Sequence, residues 1–143
     1  SRRVYLPAGR WTDPSTGAVT DGGRYLTVDA PLDVVPLWLR QDAVLPLDPV
    51  RQHVDEPVDG PLILLLAAPA GSGSYEVLTG DGALPVAHQV TADGLRVTVG
   101  PVDRPVELRV LGGGPYAAAS GGAAPHAVPG GVAVAVDATT GAD

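Results

Sequence analysis

The chain has 143 residues, 45% of them hydrophobic, with 19 glycines, 15 prolines and a formal net charge of -7. This charge argues against nucleic acid and anionic membranes as partners, because phosphate binding requires clustered positive charge. The absence of cysteine excludes disulfides and thiolate metal sites and leaves the cellular compartment undetermined.

The glycine and proline content predicts many turns and short strands rather than helices. In the first 48 residues, two-residue alternation and short apolar runs predict five strands, at residues 3–6, around 11, 25–28, 35–40 and 43–47. Turns are predicted at 13–17 and 21–23, where Asp, Pro and Gly supply the backbone conformations that turns need.

Residues 48–61 combine charge with proline and glycine, a composition typical of a linker or a long surface loop. The run Leu62–Leu66 has no polar alternation, so both faces of that strand are predicted to be buried. Its length is also far short of a membrane span. After a predicted loop at 71–74, further strands are predicted at 75–78, 83–90, 95–99, 106–110 and 132–136.

Tight turns are predicted at 80–82 and 92–94. Residues 112–131 are rich in glycine and alanine and are expected to be mobile, because they offer little apolar surface to offset the entropy of ordering. No stretch of the chain has a convincing 3.6-residue period, so the sequence predicts an all-β protein.

The first 47 residues contain an ordered series of motifs. They read Arg3-Val4-Tyr5-Leu6-Pro7-Ala8-Gly9-Arg10-Trp11-Thr12-Asp13, Thr16-Gly17, Gly22-Gly23, Ala30-Pro31-Leu32-Asp33, Pro36-Leu37-Trp38-Leu39-Arg40 and Ala43-Val44-Leu45-Pro46-Leu47. This series resembles the sequence that follows the catalytic barrel in family 31 glycoside hydrolases, the α-glucosidases and α-xylosidases. Residues 75–82 resemble a degenerate form of that family's distal turn. Asp42 stands where the family usually has glycine, so this turn either holds a left-handed Asp or differs in shape.

The resemblance implies two tandem β-sandwich units, a proximal one at 1–48 and a distal one at 62–143, joined by a linker at 49–61. It also implies that the proximal unit is incomplete at its N-terminal side, since the family has strands upstream of the match. The family's catalytic Asp pair lies on strands of a barrel that needs roughly 200 residues or more. We therefore expect this chain to be inactive and to support a glycosidase catalytic barrel, in cis or as a separate piece.

The polar residues offer little alternative chemistry. His53, His88 and His126 have no metal-ligand spacing, and the carboxylates at 55–59 lie in a predicted solvated loop. The sequence thus predicts no metal and no cofactor.

The aromatic side chains are the remaining candidates for binding. Trp11, Trp38 and Tyr75 could stack on a pyranose ring, and the alternative function is a stand-alone carbohydrate-binding module. Both tryptophans lie among apolar neighbours in predicted strands, which favours packing in the core or between domains.

Overall fold

A computed structural model describes residues 1–80, 82–113, 116 and 124–136. These residues form strands and no helix, which confirms the predicted all-β class, and accordingly none of them belongs to a helix able to cross a membrane. The strands are β1 (Arg2–Leu6), β2 (Arg10–Thr12), β3 (Val19–Asp21), β4 (Arg24–Val28), β5 (Leu39–Arg40), β6 (Val44–Leu47), β7 (Leu62–Ala67), β8 (Ser72–Thr79), β9 (Gly82–Thr91), β10 (Gly94–Val99), β11 (Val106–Leu111), β12 (His126–Val128) and β13 (Gly131–Val136).

The first five strands form two small sheets. β1 pairs antiparallel with β4 as a two-stranded ribbon, and β2 lies between β3 and β5. The predicted turn at 13–17 is present, because the Gly17 amide donates to the Asp13 carbonyl at 2.8 Å.

The predicted strand at 35–40 is confirmed only at Leu39 and Arg40, and it is wrong for residues 35–38, which form no strand. Pro36 has no amide to donate to a ladder. Val35 and Leu37 on either side of it are exposed instead of packed.

The remaining strands form the two layers of a β-sandwich. A five-stranded sheet in the order β12-β13-β11-β7-β6 faces a three-stranded sheet in the order β10-β9-β8. Leu64 and Leu66 are completely buried between them, and β7 pairs in parallel with β11. The prediction that both faces of this strand are buried is confirmed, because Leu65 on the opposite face is buried as well.

β6 lies beside β7 at the edge of the five-stranded sheet, so residues 48–61 connect two neighbouring strands of one sheet. The division into units at 1–48 and 62–143 stays a prediction. In the structure, the β2–β3 turn also touches the β12–β13 turn, because Gly17 packs against Gly130. A Cβ atom at Gly130 would lie 2.4 Å from Gly17 Cα.

Two further predictions differ from the structure. The predicted loop at 71–74 is wrong, since β8 begins at Ser72. Gly73 is instead needed for a close approach, because a Cβ there would lie 2.6 Å from Cε1 of His88. Within the segment 112–131, residues 114–115 and 117–123 lie outside the described residues, as does Asp81 of the predicted turn at 80–82. The described remainder includes β12, which pairs with β13 across Pro129-Gly130.

Candidate functional site

The three residues proposed for sugar stacking lie in separate settings. Trp11 is half-buried in β2, and its Nε1 donates to the Pro7 carbonyl at 2.8 Å, which holds the indole against the turn before β2. Trp38 is half-buried just before β5. Tyr75 is half-buried on β8, and its hydroxyl donates to the Asp42 carbonyl at 2.5 Å. In the described part of the chain, no aromatic contact joins any two of these rings. Their role in sugar binding stays a prediction.

Asp42 is the centre of a compact polar cluster. Its φ of 67° is left-handed, so the turn before β6 holds the aspartate in the conformation that glycine adopts most easily. The Asp42 amide donates to the Ala67 carbonyl at 2.8 Å. Its Oδ1 accepts hydrogen bonds from the amides of Ala70 at 2.8 Å and Gly71 at 3.1 Å. The carboxylate thus joins the β5–β6 turn to the β7–β8 loop. Glycine has no side chain to accept these hydrogen bonds, which explains why an aspartate suits this position.

His88 completes this cluster from β9. Its Nε2 lies 3.2 Å from Asp42 Oδ1, and its ring stacks on the Tyr75 ring with the centroids 6.2 Å apart. Nδ1 of His88 is buried without a described partner. The contact with Asp42 requires a proton on Nε2, because an ionised carboxylate can only accept a hydrogen bond.

The pKa values in the cluster follow from burial and hydrogen bonding. Partial burial acts to raise the pKa of Asp42, but the hydrogen bonds from Ala70, Gly71 and His88 outweigh it, so the pKa lies below its ordinary value. Burial, together with the negative charge of Asp42, raises the pKa of Tyr75.

This arrangement suits a structural role, in which the cluster holds the β5–β6 turn against β8 and β9, rather than catalysis. The His88 side chain has 0% exposure, so a substrate cannot reach its ring. Among the described residues, no group of three or more histidines and carboxylates could hold a metal ion. The sequence singled out Asp42 because it stands where the family usually has glycine. No feature of the sequence indicated that His88 would contact it.

A cleft of about 760 Å³ lies at one end of the sandwich, between the β8–β9 hairpin and the loops around residues 46–48 and 101–104. Two of its charged side chains, Asp48 and Arg104, already form an ion pair with each other. Asp48 accepts from Arg104 at 2.9 Å and from Arg51 at 3.4 Å, and Arg104 also donates to the Gly60 carbonyl. Among the described residues, no aromatic side chain lines the cleft, so they offer no ring there for stacking a sugar.

The exposed aromatic rings lie on the β1–β4 ribbon instead. Tyr5 and Tyr25 face each other across the two strands, with ring centroids 5.1 Å apart and planes inclined by 53°. The Cζ atom of Arg3 lies 4.1 Å from the Tyr25 centroid. Because side chains alternate along a strand, the sequence alone places Arg3 and Tyr5 on one face of β1. This alternation is the only part of the cluster that could be predicted from the sequence.

Comparison with known proteins gives three agreeing findings. Residues 1–45 match the Glycosyl hydrolase family 31 C-terminal domain. Over 83 residues, which are 57% of this chain, it is 31% identical to Alpha-glucosidase 2 of Bacillus thermoamyloliquefaciens and 36% identical to Alpha-xylosidase of Saccharolobus solfataricus. The matched part is 10% of the first protein and 11% of the second, so the chain spans about a tenth of these curated relatives.

The fold agrees over nearly the whole chain. The cycloalternan-forming enzyme from Listeria monocytogenes, solved with a pentasaccharide substrate, aligns with a TM-score of 0.78 at 18% identity. That alignment covers 96% of this chain and 16% of the enzyme. Together, these findings show that residues 1–45 match the C-terminal domain of glycoside hydrolase family 31 and that the chain shares its fold with the Listeria enzyme.

Proposed function

We propose that this chain is a non-catalytic accessory region of a family 31 α-glycosidase, which packs against the catalytic barrel and stabilises it. The observation that carries the proposal is the segment 29–38, which we call the apolar segment. It exposes four large apolar side chains to solvent, Leu32, Val34, Val35 and Leu37. Contiguous exposed apolar surface of this kind marks an interaction site.

The apolar segment is also poorly supported by the rest of the chain. It connects β4 to β5 without joining a sheet, and within it the Val34 amide donates to the Pro31 carbonyl at 3.1 Å. Fully burying a Val or Leu side chain is worth about 1.5–3 kcal/mol, so covering this segment offers a large stabilisation.

The relatives support a catalytic barrel as the covering partner. In them, the matching region belongs to a chain about ten times longer than the match. These relatives are an alpha-glucosidase and an alpha-xylosidase.

Dye binding and self-association of the isolated chain test the proposal. We expect the chain to bind a hydrophobic dye and to associate as its concentration rises, and a Leu32→Ser/Val35→Ser variant to lose most of both properties. The control is Val50→Ser/Val54→Ser, which changes two equally exposed valines outside the apolar segment. A monomeric chain that binds no dye would contradict the proposal, as would equal effects of the two double variants.

The alternative, a stand-alone carbohydrate-binding module using Trp11, Trp38 and Tyr75, stays a prediction. Titration with maltose, isomaltose and xylo-oligosaccharides, followed by tryptophan fluorescence, tests it. The absence of a response at millimolar sugar would exclude it.

A further inference from the structure

One face of the β1–β4 ribbon is a cation–aromatic cluster, and it is separate from the apolar segment. Arg3 lies opposite Thr27 and Tyr5 lies opposite Tyr25, so these four side chains share one face of the ribbon. All four are exposed, and Tyr5 and Tyr25 retain 52% and 59% of their surface. The other face is the interior one, where Leu6 is buried. Within the described chain, therefore, the cluster faces solvent.

Arg3 is oriented but not neutralised. Its guanidinium lies over the Tyr25 ring with Cζ 4.1 Å from the centroid, a cation–aromatic contact that restricts the side chain. It forms no ion pair with any described residue. A guanidinium that stacks on a ring keeps its N–H groups at its edge, and a carboxylate can accept two of them at once.

The charge distribution of the chain points to an anionic ligand. Five exposed arginines of the first 40 residues form no ion pair with a described residue: Arg2, Arg3, Arg10, Arg24 and Arg40. In the second part of the chain, three of the four arginines are paired with a carboxylate, namely Arg51, Arg104 and Arg109, whereas the exposed Arg96 forms no ion pair with a described residue. Neither β1 nor β4 contains an acidic residue. In a chain of net charge -7, the ribbon is thus locally positive.

We propose that this face binds a saccharide that carries a carboxylate, such as a uronic acid unit. The carboxylate pairs with the Arg3 guanidinium, while the flat C–H face of the pyranose ring packs on the Tyr5 ring. The hydroxyls of Tyr5, Tyr25 and Thr27 lie on the same face and supply hydrogen bonds to sugar hydroxyls. A carboxylate alone would use only the arginine and leave the two exposed rings without a role.

Titration of the chain with trigalacturonate, followed by NMR or calorimetry, tests the proposal. Maltotriose serves as the uncharged sugar for comparison, and a short poly-glutamate peptide serves as the carboxylate ligand without sugar rings. We expect saturable, salt-sensitive binding of trigalacturonate with a Kd of about 1 mM. Arg3→Gln should weaken it about tenfold and Tyr5→Ala should weaken it several-fold. Because both residues are exposed, the variants should fold, which circular dichroism checks.

Arg2→Gln is the matched control, since it removes the same charge from the neighbouring residue on the opposite face of the ribbon. It should change the Kd by less than about twofold. The proposal is overturned if trigalacturonate shows no saturable binding up to about 20 mM, or if Arg2→Gln weakens binding as much as Arg3→Gln. If maltotriose bound as tightly as trigalacturonate, the carboxylate would play no part in binding, which would overturn the proposal. If poly-glutamate bound as tightly as trigalacturonate, the face would be a surface for acidic proteins, which would also overturn it.

Discussion

The Oδ1 atom of Asp42 lies 3.2 Å from Nε2 of His88, although 46 positions separate the two residues in sequence. Asp42 belongs to the turn that leads into the five-stranded sheet, whereas His88 lies in the middle of the three-stranded sheet. Next to Asp42, the Gln41 amide donates to the Arg10 carbonyl of β2 at 2.8 Å. This turn therefore connects both layers of the sandwich to the small sheets at the start of the chain.

Substitution of Asp42 separates its two contributions to stability. Asp42→Ala removes the acceptor and places a Cβ-bearing residue with no compensating contact at a φ of 67°, so we expect a loss of about 2–4 kcal/mol in the free energy of unfolding. Asp42→Gly also removes the hydrogen-bond acceptor, but glycine adopts a positive φ without strain. This variant should therefore be about 1 kcal/mol more stable than Asp42→Ala. Urea denaturation measures both. An alanine variant as stable as the glycine variant would contradict this account.

The contribution of Asp42 should depend on pH with a definite sign. Its pKa in the folded chain lies below the ordinary value of 3.8, so its carboxylate stabilises the fold fully above that value. The stabilisation is lost as the pH falls through the folded pKa. The stability difference between the native chain and Asp42→Asn should consequently shrink as the pH falls below about 4. Chemical denaturation across this range measures it, and a difference that grows on acidification would show the opposite sign.

Tyr75→Phe removes the hydroxyl that donates to the Asp42 carbonyl and leaves the ring stacked on His88. We expect a loss of about 1 kcal/mol in stability, the usual net value of a hydrogen bond. Tyr25→Phe changes an exposed hydroxyl and should be nearly neutral. Thermal unfolding of the two variants side by side checks the prediction, and indistinguishable melting temperatures would mean that the Tyr75 hydroxyl contributes nothing.

The contact between Gly17 and Gly130 predicts a sharp steric requirement. Gly130→Ala adds a Cβ atom 2.4 Å from the Cα and N atoms of Gly17, at a φ of 75°. Gly94→Ala is the control, because its φ is also positive but its Cβ would meet nothing within 4 Å. Both variants have backbone strain of about 1–2 kcal/mol, and only Gly130→Ala adds a clash. Denaturation midpoints should therefore rank Gly130→Ala below Gly94→Ala, and the reverse order would show that the turns separate easily.

The sequence predicted elements whose signal is local. The unbroken apolar run at 62–66 predicted a strand buried on both faces, because only a central strand can cover such a run. At 35–38, alternation was present but Pro36 and the lack of a neighbouring strand overrode it. Periodicity describes one segment at a time and cannot register whether a partner strand lies beside it.

The candidate sites show the same limit. Asp42 was recognisable from its position in a family motif, and of the two alternatives for this turn the structure has the left-handed Asp. Its partnership with His88 could not be predicted, because it depends on how β8 and β9 pack under the turn. The Tyr5–Tyr25 pair also required the β1–β4 register, which brings residues 20 positions apart into contact.

The accessory role is tested most directly by adding the chain to a family 31 enzyme that lacks the corresponding region. Alpha-glucosidase 2 of Bacillus thermoamyloliquefaciens, with its matching 83 residues and everything after them deleted, is a suitable partner because its matched segment is 31% identical. The melting temperature of the truncated enzyme should rise on addition of the chain and should not rise with Leu32→Ser/Val35→Ser. An unchanged melting temperature with the native chain in large excess would contradict the accessory role.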